Sequence, residues 1–220
     1  FLGDRRRIKG ERDVAVQAIR QGYAALILEQ RGFGERRMEK TRGKGTACHV
    51  TAMTALLIGR TIIGERVWDI SGALDAVSRF ESIDMEKVAC VGNSGGGTAA
   101  YYAACFDDRI KAVMPSCSVC TYKDSIAARK HCVCNYIPNA AKYFDMGDLA
   151  MLTAPKKLIV VAGKKDKIFP SHGVSKAYET IQKVYKAAGC GENCRLVWGE
   201  KGHRFYARPA WEAFREMTNW

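Results

Sequence analysis

Several features that would assign this chain quickly are missing from it. No run of its 220 residues approaches the roughly 18 consecutive apolar residues of a membrane-spanning helix, so no membrane partner is expected. The chain opens on Phe1-Leu2-Gly3-Asp4-Arg5-Arg6-Arg7, without the apolar core of a secretion signal, although sequence preceding Phe1 could carry one. Internal repeats and low-complexity tracts are absent, which argues against solenoids and disordered linkers. Negative charge is in short supply. There are 23 Asp and Glu against 35 Lys and Arg, a net charge of +12, and residues 1–44 hold 12 of the cations against 6 acids. No nucleic-acid-binding module accompanies this excess, so it reads as a solvated surface and no nucleic acid partner is expected. The nine cysteines are an odd number, and Cys90 and Cys105 lie inside apolar runs, where a thiol packs as a small hydrophobe. A disulfide framework is not expected; a reducing, cytoplasmic setting is.

The centre of the chain is more specific. Val88-Ala89-Cys90-Val91 is an apolar run with β-branched valines, and it leads straight into Gly92-Asn93-Ser94-Gly95-Gly96, a G-x-S-x-G pattern. Residues 98–105 follow, rich in small residues and free of Pro and Gly, as a buried helix would be. Strand, sharp turn and helix are the context of a nucleophile elbow, in which the serine takes a strained backbone geometry and only glycine fits beside it.

The remaining elements alternate as in an α/β protein. Residues 11–22 have helical spacing and a Gly stop, and Tyr23–Glu29 reads as a strand covered on both faces. Helices are expected over 51–58 and 65–80, a strand over 110–114, and a long excursion from Ser116 to Ala154. A strand at 158–162, a helix at 173–188, a strand at 195–198 and a helix from Pro209 to Met217 complete the layout. The architecture expected is one domain over residues 1–220, with residues 117–154 as a cap-like insertion.

Two loops complete a constellation. Asp166 lies just past the carboxyl end of the 158–162 strand, and His203 lies in the loop after the 195–198 strand. Loops at the carboxyl ends of parallel strands open on one edge, so Ser94, Asp166 and His203 can meet there. The order Ser, Asp, His is that of the α/β-hydrolases. Ser94 needs a base, His203 is placed to be one, Asp166 would orient the imidazole, and the Gly95 N–H would face a developing oxyanion. His49, His131 and His172 compete with His203 only weakly: His49 lies in a segment without a definite pattern, His131 in the Cys-rich segment, and His172 opens a helix two residues after Pro170.

With those residues in place the chain resembles the α/β-hydrolase superfamily, and within it the acetyl xylan esterase and dienelactone hydrolase-like branch. The resemblance rests on Gln30-Arg31-Gly32-Phe33-Gly34-Glu35-Arg36, Gly64-Glu65-Arg66-Val67-Trp68-Asp69, the elbow, Asp166 with Pro170, Gly202-His203-Arg204-Phe205-Tyr206, and the 131–138 stretch, His131-Cys132-Val133-Cys134-Asn135-Tyr136-Ile137-Pro138. It implies a mostly parallel sheet with helices on both faces. It also implies a serine esterase for short-acyl, acetyl-type esters of sugars, without metal or organic cofactor. Asn93, Arg31, Phe33, Cys117, Phe169 and Phe205 are the expected substrate-pocket residues. The serine departs from the cysteine nucleophile of dienelactone hydrolases proper.

The expected partner is a small ester, and a homo-oligomer is left open. The competing readings are a metal site at Cys117, Cys120, His131, Cys132 and Cys134, and a catalytically inactive hydrolase fold that only binds. A second departure is at the start. The strand that carries the family's oxyanion loop belongs between the 23–29 and 88–92 strands, and residues 1–10 do not supply it. The chain is therefore expected to be the carboxyl-terminal part of a longer protein, unless 24–29 closes up against 88–92.

Overall fold

The computed structural model describes residues 11, 13–38 and 47–220. Helix α1 (Val14–Ile19) is followed by α2 (Ala47–Leu57) and α3 (Ile62–Val77). The Thr61 hydroxyl caps α3 by accepting from the Gly64 N–H. Strand β1 (Val88–Asn93), α4 (Gly95–Phe106) and β2 (Ile110–Ser116) come next. The excursion that follows contains two single-turn helices, α5 (Ala140–Tyr143) and α6 (Ala150–Thr153). Strand β3 (Lys157–Gly163), α7 (Ser171–Ala187), β4 (Cys194–Gly199) and α8 (Ala207–Thr218) close the chain. No single described helix is long and apolar enough to cross a membrane.

The four strands lie in the order β1-β2-β3-β4, and every pairing is parallel. Successive residues of a strand point to opposite faces, so each strand supplies two cores. Val113, Leu158 and Val160 pack on one face with Tyr101, Ile181 and Tyr185 from α4 and α7. Ala112, Met114, Ile159 and Val161 pack on the other, against Trp211 and Phe214 of α8. The sheet is covered on both sides, as continuous apolar strands require.

One expected strand does not form. Residues 24–29 are extended but have no ladder among the described residues, and Leu26 and Ile27 are 61% and 68% exposed. A cleft of about 290 Å³ separates residues 24–28 from Ala89 and Val91 of β1. A strand exists through its pairing, and apolar composition alone does not supply one. Segment 24–29 therefore neither closes up against β1 nor acts as a fifth strand; among the described residues, β1 is an edge strand, as is β4.

Strand ends set the level of the loops that matter. Asn93 is in register with Ser116, and Gly163 with Gly199. The loops after β1 and β2 thus leave together, as do those after β3 and β4.

The 117–154 segment, expected as a cap-like insertion, is anchored in the main core. Val119, Tyr122, Ile126, Met146, Leu149 and Ala150 belong to the main core, and the Tyr122 hydroxyl bonds that of Tyr102 at 2.8 Å.

Candidate active site

Ser94 stands between β1 and α4 with φ 55° and ψ −124°, a backbone conformation that L-residues rarely adopt. The turn is held by the Ser94 N–H, which donates to the Ser116 carbonyl at 2.8 Å, and by the Thr98 N–H, which donates to the Ser94 carbonyl at 2.9 Å. Glycine is required where backbone meets backbone. A Cβ on Gly92 would lie 2.3 Å from the Gly96 carbonyl, and one on Gly97 would lie 2.9 Å from the carbonyls of Gly92 and Ser116. The crowded positions are thus Gly92 and Gly97. Gly96, the last glycine of the pattern, has only the Gln30 amide nearby, at 3.7 Å. Gly95 opens α4, so its N–H belongs to the first turn and has no partner within the helix. That amide, at the positive end of the helix, is where a developing oxyanion would be stabilised.

The acid and base meet across β3 and β4. His203 Nδ1 lies 2.8 Å from Asp166 Oδ2. Asp166 Oδ1 accepts from the Ile168 N–H at 2.8 Å and the Phe169 N–H at 3.2 Å. Burial raises the Asp166 pKa, but the His203 hydrogen bond and these two amides outweigh it, and the carboxyl ends below its usual value. The two loops are stitched together: the Lys164 N–H donates to the Gly199 carbonyl and the Lys165 N–H to the Lys201 carbonyl. Tyr206 Oη donates to the Gly202 carbonyl at 2.6 Å, fixing the turn that carries His203. Phe169 stacks on the His203 ring at 5.8 Å with 14° between the planes, and His131 meets the far side of Phe169 edge-on. Among the described residues no hydrogen bond joins Ser94 Oγ to His203, whereas the Asp166–His203 pair is assembled.

A cavity of about 340 Å³ opens over the elbow, lined by Gln30, Phe33, Asn93, Ser94, Gly95 and Gly96. Of the six residues expected at a substrate pocket, Asn93 and Phe33 line this cavity, and Gln30, which was not among them, lines it too. Its signal was available, since it follows an apolar run in the way the other site loops do.

Four expected pocket residues have other work. Arg31 is locked to Asp69 at 2.8 and 2.9 Å and to Glu65 at 2.7 Å, so its guanidinium holds the 30–36 loop to α3. Cys117 is buried behind the acid and base, with its thiol donating to the Arg204 carbonyl at 3.2 Å. Burial, followed by the Asp166 charge, pushes that thiol up to about 12, which disfavours its thiolate. Phe169 is buried and supports the imidazole. Phe205 packs in the core with Met114 and Trp211.

Nor do the cysteines singled out for a metal come together as one group. Cys117 sits with Asp166 and His203, whereas Cys132 and Cys134 sit with Cys48. Cys120 packs with Phe169 and Val174.

A parallel sheet, a serine on a strained strand–helix turn, and a hydrogen-bonded Asp–His pair in loops after two later strands define an α/β-hydrolase fold. Residues 1–131 match the acetyl xylan esterase (AXE1) family, and the chain belongs to that family. It is also similar to YtaP of Bacillus subtilis (strain 168), which carries a provisional hydrolase name. The identity is 30% over 202 residues, and the match covers 90% of this chain and 65% of that protein. Among solved structures, a Bacteroides fragilis NCTC 9343 protein named provisionally as an acetyl xylan esterase aligns with a TM-score of 0.70. It is 17% identical, over 93% of this chain and 56% of its own. A glucuronoyl esterase from Solibacter usitatus aligns with a TM-score of 0.62 and 17% identity, over 89% of this chain and 68% of its own. These likenesses concern the fold, and the chain spans about two thirds of the length of YtaP.

Proposed function

We propose that this chain is a serine carboxylic ester hydrolase acting on short-acyl, acetyl-type esters through an acyl-enzyme. The observation that carries the reading is the Asp166–His203 hydrogen bond of 2.8 Å, formed at the same sheet edge onto which the strained Ser94 turn opens. In this reading His203 Nε2 removes the Ser94 proton as the hydroxyl attacks the ester carbonyl, and later returns it to the leaving alcohol. Nδ1 stays protonated and bound to Asp166, which balances the imidazolium charge as it forms. The Gly95 N–H stabilises the oxyanion. The proton transfer needs Ser94 Oγ and Nε2 within hydrogen-bond reach, a contact that tightens when substrate fills the cavity. Gln30 and Asn93 bring side-chain amides to a cavity whose lining is otherwise mostly apolar, with one aromatic face, Phe33. That lining suits a small acyl group and a hydroxylated alcohol better than a long acyl chain. No step in this scheme calls for a metal or an organic cofactor. An odd number of cysteines, every one of them a free thiol, supports a cytoplasmic setting.

The test is turnover of aryl acetate, butyrate and octanoate esters beside an acetylated xylo-oligosaccharide, in the native chain and in Ser94→Ala. The expected result is preference for acetate and a loss in Ser94→Ala on the order of 10⁴-fold or more, with the fold retained. Ester turnover that survives in Ser94→Ala overturns the reading.

A further inference from the structure

Three cysteines take no part in this chemistry, although they lie directly behind it. Cys48, in the first turn of α2, meets Cys132 and Cys134, with all three Sγ atoms within 4.8 Å of one another. The Cys48 and Cys132 sulfurs are 3.1 Å apart. Beside them is Arg66, only 1% exposed, which donates through Nη2 to the Arg31 carbonyl at 2.9 Å and to Cys48 Sγ at 3.4 Å. Arg66 Nη1 is buried without a hydrogen-bond partner. A fixed guanidinium with an unused donor therefore faces a group of thiols, and a thiolate is the form of that group that it stabilises.

The three thiols divide unequally. Hydrogen bonds from the Cys134 and Cys48 thiols pull the Cys132 pKa down, which favours its thiolate. The Cys132 contact pushes the Cys48 and Cys134 thiols up, so those two keep their protons. Cys132 is also the exposed one, whereas Cys48 is half-buried and Cys134 buried. An accessible thiolate with a second thiol in van der Waals contact is the arrangement that thiol–disulfide exchange needs. A zinc site fits less well. Sulfurs on a tetrahedral zinc stand about 3.8 Å apart for bonds of about 2.3 Å, and a neighbouring guanidinium opposes a second cation.

We propose that Cys132 and Cys48 form a thiol–disulfide exchange site that takes small aliphatic disulfides of the glutathione type. The Cys132 thiolate attacks one sulfur of the small disulfide, forming a mixed disulfide and releasing the other half as a thiolate that takes a proton. Cys48 then gives up its proton and attacks Cys132 Sγ, expelling the second half as a thiol. The two protein thiols are oxidised to one disulfide, and the small disulfide is reduced to two thiols. The bond ties α2 to the 131–138 stretch. It also removes the thiolate that faced Arg66, close to the elbow: a Cβ on Gly95 would lie 3.9 Å from both Arg66 Nη1 and Cys134 Sγ. Ester turnover is therefore expected to fall severalfold on oxidation and to return with dithiothreitol. That last point rests on the esterase reading; the exchange chemistry does not.

The experiment treats the reduced full chain with oxidised glutathione, quenches it with acid and maps its peptides without reduction, with parallel samples dialysed against zinc. The expected product is a Cys48–Cys132 disulfide with two glutathione thiols released per chain. Cys48→Ser is expected to stop at a glutathione adduct on Cys132, and Cys132→Ser and Cys132→Ala to leave Cys48 unmodified. Three results overturn the proposal: first reaction at another cysteine of the native chain, modification of Cys132→Ala at the native rate, or stoichiometric zinc retained on the three thiols. A disulfide that forms as expected while ester turnover stays constant overturns only the coupling to catalysis.

Discussion

Asp166 is 5% exposed and still ionised, because both of its oxygens are occupied: Oδ2 by His203 and Oδ1 by two backbone amides. Its depressed pKa makes it a stabilising group above the usual carboxylate range, and that contribution is lost as pH falls through the lower, folded value. Asp166→Asn keeps the amide contacts but cannot hold the protonated imidazole. It should lower kcat on aryl acetate by about 10³–10⁴-fold with KM little changed, which steady-state kinetics will check. Phe169 is buried and stacks on the His203 ring, so it is expected to act through His203 rather than on substrate. Phe169→Leu preserves most of the buried volume but removes the flat surface under the ring, and kcat should drop by about tenfold while KM holds. An equal rise in KM would instead place Phe169 at the substrate.

Between residues and the whole stands the β1–Ser94–α4 unit, whose turn and far end are secured differently. Just past the turn, Gly97 leaves no room: an alanine Cβ would press on Ser118 Oγ and on two backbone carbonyls. Gly97→Ala should therefore cost about 1–3 kcal/mol and disturb the elbow, readable as a lower Tm together with lost turnover. At the far end, Asp107 follows α4 and accepts from the Arg109 N–H and guanidinium, while Arg109 also reaches Asp75 and the Ser71 carbonyl on α3. The Arg109 hydrogen bonds outweigh burial and hold the Asp107 pKa at about 2. The folded value is depressed, so this stability is present above about pH 4 and is lost between about pH 4 and 2. Asp107→Asn should destabilise the protein by about 1–2 kcal/mol at pH 7, a difference that shrinks in acid, measured as urea midpoints across pH. A constant difference would show that packing, and not charge, is what Asp107 contributes.

Across the whole molecule, the sheet is well covered on its faces and, among the described residues, ends on β1 at one edge and β4 at the other. Strand β1 is half-buried along its length, and the apolar residues 24–28 stand across a cleft from it. An unpaired edge beside exposed Leu26 and Ile27 is a surface that favours association. Residues 1–220 alone are expected to self-associate with rising concentration, and Leu26→Lys with Ile27→Lys to weaken that association. Sedimentation velocity over a range of concentrations will measure both. A monomer at every concentration would contradict the expectation.

Local pattern was enough to determine the elements whose stability is written in neighbouring residues. The valine run of β1, the glycines around Ser94, the helical spacing of α7 and the loop positions of Asp166 and His203 were all legible. Each depends on periodicity, or on a backbone geometry that only certain residues tolerate. Partnership was not legible. Residues 24–29 have the composition of a strand, yet a strand is made by the hydrogen bonds of its neighbours, and β1 does not come within reach. Arg31, Cys117, Phe169 and Phe205 lie beside the right motifs, but Asp69, Arg204, His203 and Trp211 decide where their side chains are used. Cys48 and Cys132 are 84 residues apart and met only because α2 packs beside the 131–138 stretch. Chain neighbours act within a few residues, whereas ion pairs, ring stacks and thiol contacts are set by which distant elements the fold brings to within a few ångströms.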